Sequence, residues 1–143
     1  MFTQTIEKTQ FVSSESYQMI KDEHLASVVV TSQVLAGSRI LLSTYRHVVF
    51  SESVFYACEF QGVTFENCVF ENCNFEFSHI RKCNFKNCSF HNCNWVASST
   101  TNTIYENCEL DHKLSEMTEK GGNDITYSAQ EDLSGLFVLP VAC

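Results

Sequence analysis

The chain has 143 residues, an ordinary hydrophobic content of 44% and a net charge of −8, and its 12 Phe and 8 Cys are unusually many. This length suits one domain with a single core, and the 5 Gly and 1 Pro argue against a disordered linker. The 9 basic residues form no cluster, which argues against direct binding of nucleic acid through its phosphates.

The first segment, residues 1–37, is predicted to be an N-terminal cap followed by an irregular first coil. Its opening residues, MFTQTIEK, contain no apolar run that would mark a secretory signal. No stretch of the chain approaches the roughly 18 apolar residues of a membrane span. We therefore expect a cytoplasmic protein with no membrane partner.

A short helix is predicted across residues 14–24. Ser13 or Ser14 is suited to cap its N-terminus, because a serine hydroxyl accepts a hydrogen bond from a free backbone N–H of the first turn. The apolar side of this helix would contain Tyr17, Ile20 and Leu25.

A five-residue repeat fills the second segment, residues 38–112, with 15 consecutive blocks in one register. Each block carries one large residue, and two positions before it one small residue. The large residues are Ile40, Tyr45, Phe50, Phe55, Phe60, Phe65, Phe70, Phe75, Ile80, Phe85, Phe90, Trp95, Thr100, Tyr105 and Leu110. A fainter version of the pattern precedes them, with Leu25, Val30 and Leu35 at the large position but Glu23 and Gln33 at the small one.

The spacing of two between the small and large residues is that of a β-strand, in which both side chains point to the same face. The remaining two residues of a block must turn the chain, as Glu66-Asn67 and Gln61-Gly62 are suited to do, since Asn and Gly tolerate positive φ. The chain then winds around a core of rings, and successive coils pair their backbones at about 4.8 Å. The repeat therefore predicts an all-β solenoid.

Several blocks resemble the motif of the pentapeptide-repeat family, which is a small residue, Asp or Asn, then Leu or Phe, and two free positions. The best matches are Cys73-Asn74-Phe75, Cys83-Asn84-Phe85 and Cys93-Asn94-Trp95. The resemblance implies a right-handed four-sided β-helix with four blocks per coil, hence about four coils here. Charges do not settle the number of blocks: a spacing of 20 pairs Glu66 with Lys86, and a spacing of 15 pairs it with Arg81.

One departure from the motif falls at Ser98-Ser99-Thr100-Thr101, where a polar residue takes the place of a ring. A hydroxyl in an apolar core needs a hydrogen-bond partner. We therefore expect a local irregularity in the last coil at Thr100.

The third segment, residues 113–143, is predicted to hold a C-terminal helix and an apolar tail. A weakly helical stretch runs from Asp111 to Lys120 and is stopped by Gly121-Gly122. The tail either caps the last coil or forms a homodimer with a second copy, as in family members that dimerise through their C-terminal ends. Its apolar residues are Leu133, Leu136, Phe137, Val138, Leu139 and Val141.

The cysteines and histidines predict no catalytic, cofactor or metal site. Seven cysteines occupy the small position of the repeat, the small column, at spacings of five, ten or fifteen, unlike the short gaps of zinc sites, so we expect free buried thiols. Only Cys143 would be an exposed thiol. Glu71, His91 and Asp111 would stack at a spacing of 20, but an outward file offers no pocket that shifts a pKa. The chain is predicted not to be an enzyme.

Function is therefore expected at the surface. The first hypothesis is a non-enzymatic protein-interaction scaffold with an unidentified protein partner. The alternatives come from the resemblance: a DNA mimic that binds DNA gyrase or topoisomerase IV and protects it from quinolones or toxins, or a secreted bacterial effector. The candidate acidic surface consists of Glu52, Glu59, Glu66, Glu71, Glu76, Glu106, Glu109 and Asp111. With a net charge of only −3 in residues 38–112, the repeat is far less charged than DNA of its length.

Overall fold

The computed structural model describes residues 4–5 and 17–127, which form a parallel β-solenoid of about 5 turns. Nearly all of its strands are three residues long, as the five-residue blocks predict. The strands are β1 Gln4–Thr5, β2 Met19–Lys21, β3 His24–Ala26, β4 Val28–Thr31, β5 Val34–Ala36, β6 Arg39–Leu41, β7 Thr44–Arg46, β8 Val49–Ser51, β9 Val54–Tyr56, β10 Glu59–Gln61, β11 Thr64–Glu66, β12 Val69–Glu71, β13 Asn74–Glu76, β14 His79–Arg81, β15 Asn84–Lys86, β16 Ser89–His91, β17 Asn94–Val96, β18 Ser99–Thr101, β19 Ile104–Glu106 and β20 Asp124–Thr126. The helix is α1, His112–Met117.

Four parallel sheets form the sides of the coil, and we number the sides in the order in which the chain visits them. From β2 to β19, strands four apart in the chain pair with each other, so residues 20 apart lie side by side, as Phe60 does with Ile40 and Ile80. The four-sided coil is thereby confirmed, and the spacing of 15 is wrong. Side I is β1-β4-β8-β12-β16, side II is β5-β9-β13-β17, side III is β2-β6-β10-β14-β18, and side IV is β3-β7-β11-β15-β19-β20.

The coil begins earlier than the clear repeat and so has about 5 turns rather than 4. The helix expected across residues 14–24 is wrong for residues 17–24, which are strands β2 and β3 and their corners. Ile20 and Leu25 are spaced by five, and they stack on Ile40 and Tyr45 as the first members of the ring column. Ser13 and Ser14 lie outside the described residues.

The large residues stack into vertical files inside the coil. Phe65 lies between Tyr45 and Phe85, with ring centroids 5.3 and 4.7 Å away, and Phe75 lies 4.1 Å from Trp95. These rings are almost completely buried. Burying each one contributes roughly 1.5–3 kcal/mol, so the files are the main source of stability.

The small residues fill the corners beside the rings and satisfy backbone carbonyls. The seven cysteines of the repeat are free thiols. Cys68 and Cys88 each donate a hydrogen bond from Sγ to a carbonyl of the coil below, at 3.3 Å. Glu23, the charged residue in this column, is buried and accepts a hydrogen bond of 2.9 Å from the Tyr45 hydroxyl.

Helix α1 closes the C-terminal end of the coil, close to where the sequence places a helix. Asp111 is its N-cap, and Leu114 is fully buried in the core. Strand β20 then pairs in parallel with β19 and extends side IV. No helix within the described residues is long and apolar enough to cross a membrane.

The expected irregularity at Thr100 is wrong. Thr100 is buried and pairs in register with Ile80. Its hydroxyl lies 2.7 Å from the hydroxyl of Tyr105 and 3.2 Å from Oδ1 of Asn123. The side chains of Tyr105 and Asn123 thus satisfy the hydrogen bonds of the Thr100 hydroxyl, and the strand needs no distortion. The tail residues Leu133 to Val141 lie outside the described residues.

Candidate interaction surface

The eight acidic residues of the predicted surface are not brought together. They are distributed over all four sides of the coil and its corners, so no side carries a continuous file of carboxylates. Glu71 and Glu109 lie on side I, Glu52 at the corner between sides I and II, Glu76 on side II, Glu59 on side III, Glu66 and Glu106 on side IV, and Asp111 at the start of α1.

Two of these carboxylates pair with arginines. Glu59 lies between two arginines, at 3.5 Å from Arg39 and 3.4 Å from Arg81, and Glu66 lies 3.1 Å from Arg46. Each of these exposed pairs is worth at most about 1 kcal/mol, but each cancels a negative charge.

Asp111 has a structural role at the end of the coil. It accepts hydrogen bonds from the Leu114 backbone N–H at 2.9 Å and from Nε1 of Trp95 at 3.1 Å. The stacked file of Glu71, His91 and Asp111 therefore does not form. Glu71 and His91 are paired in register, but the carboxylate that pairs with His91 is that of Glu109, whose Oε1 lies 3.8 Å from Nε2 of His91.

Sides I and II are almost free of charge, and side II differs from side I because it exposes large apolar side chains. Glu76 is the one charged residue among the outward positions of its four strands. Those positions are Val34, Ala36, Val54, Tyr56, Asn74, Glu76, Asn94 and Val96. The corner that follows adds Gly37, Ala57, Phe77 and Ala97. We call these two groups together the apolar face.

Large apolar side chains of this face are open to solvent. Val34 is 49% exposed, Tyr56 45%, Phe77 50% and Val96 52%. The rings of Tyr56 and Phe77 meet edge to face at 5.7 Å. Most exposed apolar residues of a protein stand singly, whereas a contiguous group of them marks a binding surface.

The apolar face is flat and has a charged rim. Its four strands extend about 14 Å along the coil at the usual strand spacing. Asn94 donates a hydrogen bond to Asn74 across two of these strands, at 2.6 Å. Glu52 lies at one edge, and Arg39 and Glu59 lie on side III beyond the other edge. An apolar centre with a polar rim is the usual anatomy of a protein–protein interface.

Two open clefts flank α1, and their chemistry is not that of an active site. The larger, about 650 Å³, is lined by Thr100, His112 and Glu116 among others. His112 and Glu116 form an exposed pair at 3.0 Å, one helical turn apart. Within the described residues, no three His, Cys, Asp or Glu side chains are placed to hold a metal ion.

Cys93, half-buried in the second cleft of about 390 Å³, is the most accessible thiol of the described residues. Its hydrogen bond with Cys73 raises its pKa, and burial acts in the same direction. It therefore stays protonated at neutral pH and is a poor nucleophile.

Sequence reasoning missed the apolar face because it arranged the residues in columns of five. The face appears only when residues are aligned at a spacing of 20, which places Phe77 beside Ala57, and Glu76 between Tyr56 and Val96, on one surface. The sequence alone did not decide between spacings of 15 and 20, so these residues could not be aligned on one side of the coil.

Comparison with known proteins agrees with this architecture. The family profile described as a pentapeptide repeat region matches residues 38–113. None of the curated proteins compared with the chain matches it.

Several solved structures align with the chain at low identity. A pentapeptide repeat protein, Rfr23, from the cyanobacterium Cyanothece 51142 aligns with a TM-score of 0.48 and 13% identity, over 65% of this chain; the chain spans 64% of the length of Rfr23. QnrB1, a plasmid-mediated fluoroquinolone resistance protein, aligns with a TM-score of 0.27 and 10% identity, over 79% of this chain and 93% of its own. A protein from Parabacteroides merdae described as a glycosyl hydrolase aligns with a TM-score of 0.30 and 6% identity, over 86% of this chain and 75% of its own.

Proposed function

The chain belongs to the pentapeptide-repeat family, and from that membership and its surface we propose that it is a non-enzymatic scaffold that binds a protein partner through the apolar face. The observation that carries the proposal is the contiguous exposure of Val34, Tyr56, Phe77 and Val96 on a side with one carboxylate. Burying such side chains against a partner removes apolar surface from water, at about 25 cal/mol for each Å².

A protein fits this face better than a nucleic acid or a charged small molecule. The face offers no cation to a phosphate, and its flat shape offers no pocket to a small ligand. Exposed aromatic residues such as Tyr56 and Phe77 are frequent centres of binding energy at protein interfaces. The partner is expected to present a flat apolar surface and to reach the charged rim at Arg39 and Glu52.

A DNA-mimic role would need a different surface. Residues 38–112 make just under four coils, a rod about 18 Å long, and DNA of that length carries about 11 phosphate charges. The repeat carries a net charge of −3 and pairs Glu59 and Glu66 with arginines. We therefore expect gyrase supercoiling to continue unchanged in a large excess of the purified protein, and inhibition there would favour the DNA-mimic role instead.

The partner can be found and tied to the face in one series of experiments. Tyr56 is replaced by the photocrosslinker p-benzoyl-phenylalanine, and Thr64 on side IV is replaced in the same way as a control. Proteins from the source organism that crosslink at position 56 and not at position 64 are identified by mass spectrometry, purified and titrated against the wild-type chain.

A matched pair of variants then tests whether the face carries the binding. Phe77→Asn and Leu42→Asn each replace an exposed apolar corner residue that has positive φ, and asparagine accepts this conformation. Only Phe77 belongs to the apolar face. We expect Phe77→Asn to weaken the partner at least tenfold and Leu42→Asn to leave it within twofold. Equal affinities for both variants would overturn the proposal.

A further inference from the structure

We infer that the apolar face receives an arginine side chain of the partner, which pairs with the carboxylate of Glu76 and packs against the rings of Tyr56 and Phe77. This rests on the proposed function of the face and names the chemistry that its partner must bring. A partner surface that is apolar throughout would cover Glu76 and leave its charge without a counter-charge.

The carboxylate of Glu76 belongs to the face itself and not to its rim. Glu76 is the third residue of β13 and is half-buried. The register places it between Tyr56 of β9 and Val96 of β17, and β13 is an inner strand of side II. A partner that covers Tyr56 and Val96 therefore covers Glu76 as well.

The chain supplies no counter-charge to this carboxylate. Among the described residues, the ion pairs involve other acidic residues, and Glu76 forms none. The remaining outward positions of side II and of the corner that follows carry no cation. A partner that covers the face removes water from the carboxylate, and an unpaired buried charge is costly. The partner must therefore bring a cation to this position.

Two aromatic rings stand beside the carboxylate and suit a cation as well. Tyr56 lies next to Glu76 in the register, and Phe77 follows it in the chain. The two rings meet at an interplanar angle of 79°, and each is about half exposed. A ring face attracts a cation that lies within about 6 Å of the ring centroid. The three side chains thus offer two aromatic walls and one negative charge.

Arginine fits this arrangement better than lysine. A guanidinium is planar and weakly hydrated, so it loses less on leaving water than an ammonium does, and it stacks on aromatic rings. Its N–H groups donate to both oxygens of a carboxylate at once. Arginine is accordingly enriched in protein interfaces, whereas lysine is depleted there. The net charge of −8 also favours the approach of a basic partner.

One arginine can neutralise one carboxylate only. A second carboxylate in place of Tyr56 would remove an aromatic wall and would itself be buried without a counter-charge. We therefore expect Tyr56→Asp to weaken the contact with an arginine, although it adds negative charge to the face.

A selected binding domain serves as the probe, because it can be synthesised with a single altered side chain. A phage-displayed library of a small three-helix domain, randomised on one flat helical face, is selected on the full wild-type chain. Each selected domain is titrated against Phe77→Asn and Leu42→Asn, and a domain that loses affinity for the former alone binds the apolar face. These face-binding domains are then synthesised with each arginine in turn replaced by lysine or by citrulline, its neutral isostere.

A matched pair of variants of the chain tests the carboxylate. Glu76→Gln and Glu106→Gln each remove one negative charge from the third residue of a three-residue strand, and both residues are half-buried. Glu106 lies on side IV, opposite the apolar face. A loss of affinity confined to Glu76→Gln therefore reports a contact at the face and not the net charge of the chain.

We expect one arginine of each face-binding domain to be decisive. Its replacement should weaken binding to the wild-type chain by about tenfold or more for citrulline and by about threefold or more for lysine. On Glu76→Gln the arginine and citrulline forms should bind within about twofold of each other, because the charged partner is gone. Glu106→Gln should bind within about twofold of the wild-type chain.

The other outcomes separate this inference from the proposed function. Face-binding domains without such an arginine, or with unchanged affinity for Glu76→Gln, would overturn the inference and leave the proposed function standing. Equal losses for Glu76→Gln and Glu106→Gln would overturn it in favour of general charge attraction, and equal affinities of the arginine and lysine forms would overturn the choice of arginine. If no selected domain distinguishes Phe77→Asn from Leu42→Asn, the proposed function fails, and the arginine contact fails with it.

Discussion

Every fifth residue from Tyr17 to Asn107 has positive φ, whatever its side chain. Asparagine and glycine accept this conformation, but Leu42, Ala57 and Phe77 adopt it as well. The left-handed region costs other L-residues roughly 1–2 kcal/mol. The coil imposes the conformation because the residues on either side are fixed in strands. Gly62 is needed for a second reason, since a Cβ atom there would lie 2.8 Å from the Leu42 side chain stacked on it.

Substitutions at these positive-φ corners are therefore expected to raise or lower the free energy of unfolding, depending on the residue introduced. Ala57→Asn should raise the free energy of unfolding by about 0.5–1 kcal/mol, because it relieves the positive φ at an exposed corner. Asn67→Ala should lower it by a similar amount. Urea unfolding followed by circular dichroism measures both, and a shift of the same sign for the two variants would refute the explanation.

Cysteines of the small column predict a pH dependence of stability. Burial raises the pKa of Cys58 and of Cys83 to about 11, from the ordinary value of 9.0 for a thiol. The folded state holds these protons more tightly than the unfolded state, so this contribution is fully present below pH 9 and is lost as the pH rises from 9 to 11. Two pKa units correspond to roughly 2–3 kcal/mol for each thiol.

Cys58→Ser isolates this effect, because Ser38 and Ser78 already occupy the same vertical file and Ser78 donates to the carbonyl of Phe55 at 2.7 Å. The serine variant should lose less stability than the wild-type chain between pH 9 and 11, while both behave alike from pH 6 to 8. Thermal unfolding at each pH gives the comparison. Parallel curves throughout would show that burial of this thiol is not responsible.

At the level of the element, β18 shows how a polar residue is accommodated in an apolar file. The Tyr105 hydroxyl, Thr100 hydroxyl and Asn123 side chain form a connected group at 2.7 and 3.2 Å. The sequence predicted an irregularity because Thr100 was considered alone. Its partners are five and 23 residues away, and Asn123 reaches it only because the loop after α1 returns over the coil.

A double-mutant cycle tests this group. Thr100→Val leaves the Tyr105 hydroxyl buried without its acceptor and should cost about 1–3 kcal/mol, while Tyr105→Phe should cost about 1 kcal/mol. The double variant removes both groups and should be more stable than the sum of the single losses predicts, by at least 1 kcal/mol. Denaturant unfolding of the four proteins measures the coupling, and simple additivity would mean that the hydroxyls do not interact.

For the whole molecule, the sequence predicted the interior far better than the surface. One large residue every five positions is enough to infer strands, the ring core and the buried thiols, because each depends on neighbours within a block. The apolar face depends on neighbours 20 residues apart, such as Ala57 and Phe77, and therefore on the register. The first coil was misread because Ile20 and Leu25 fit a helix side and a coil side equally well.

The four sides of the solenoid have the same backbone and different chemistry. Sides III and IV carry most of the charge, including Arg39, Arg81 and Arg46, whereas side II presents valine, tyrosine and phenylalanine. A solenoid of this kind offers its sides as separate surfaces, since each repeat contacts only its neighbours. Charge keeps sides III and IV hydrated, and the exposed apolar side chains of side II are left for a partner.

The most direct test of the proposed function is the affinity of the partner identified by crosslinking for two charged variants of the coil. Tyr56→Asp alters an exposed position on side II, and Thr64→Asp alters an outward, half-buried position on side IV. Isothermal titration should show Tyr56→Asp weakening the partner by tenfold or more, with Thr64→Asp within twofold of the wild-type chain. Unchanged binding to Tyr56→Asp, in a protein that keeps its circular dichroism spectrum, would contradict the assignment of function to the apolar face.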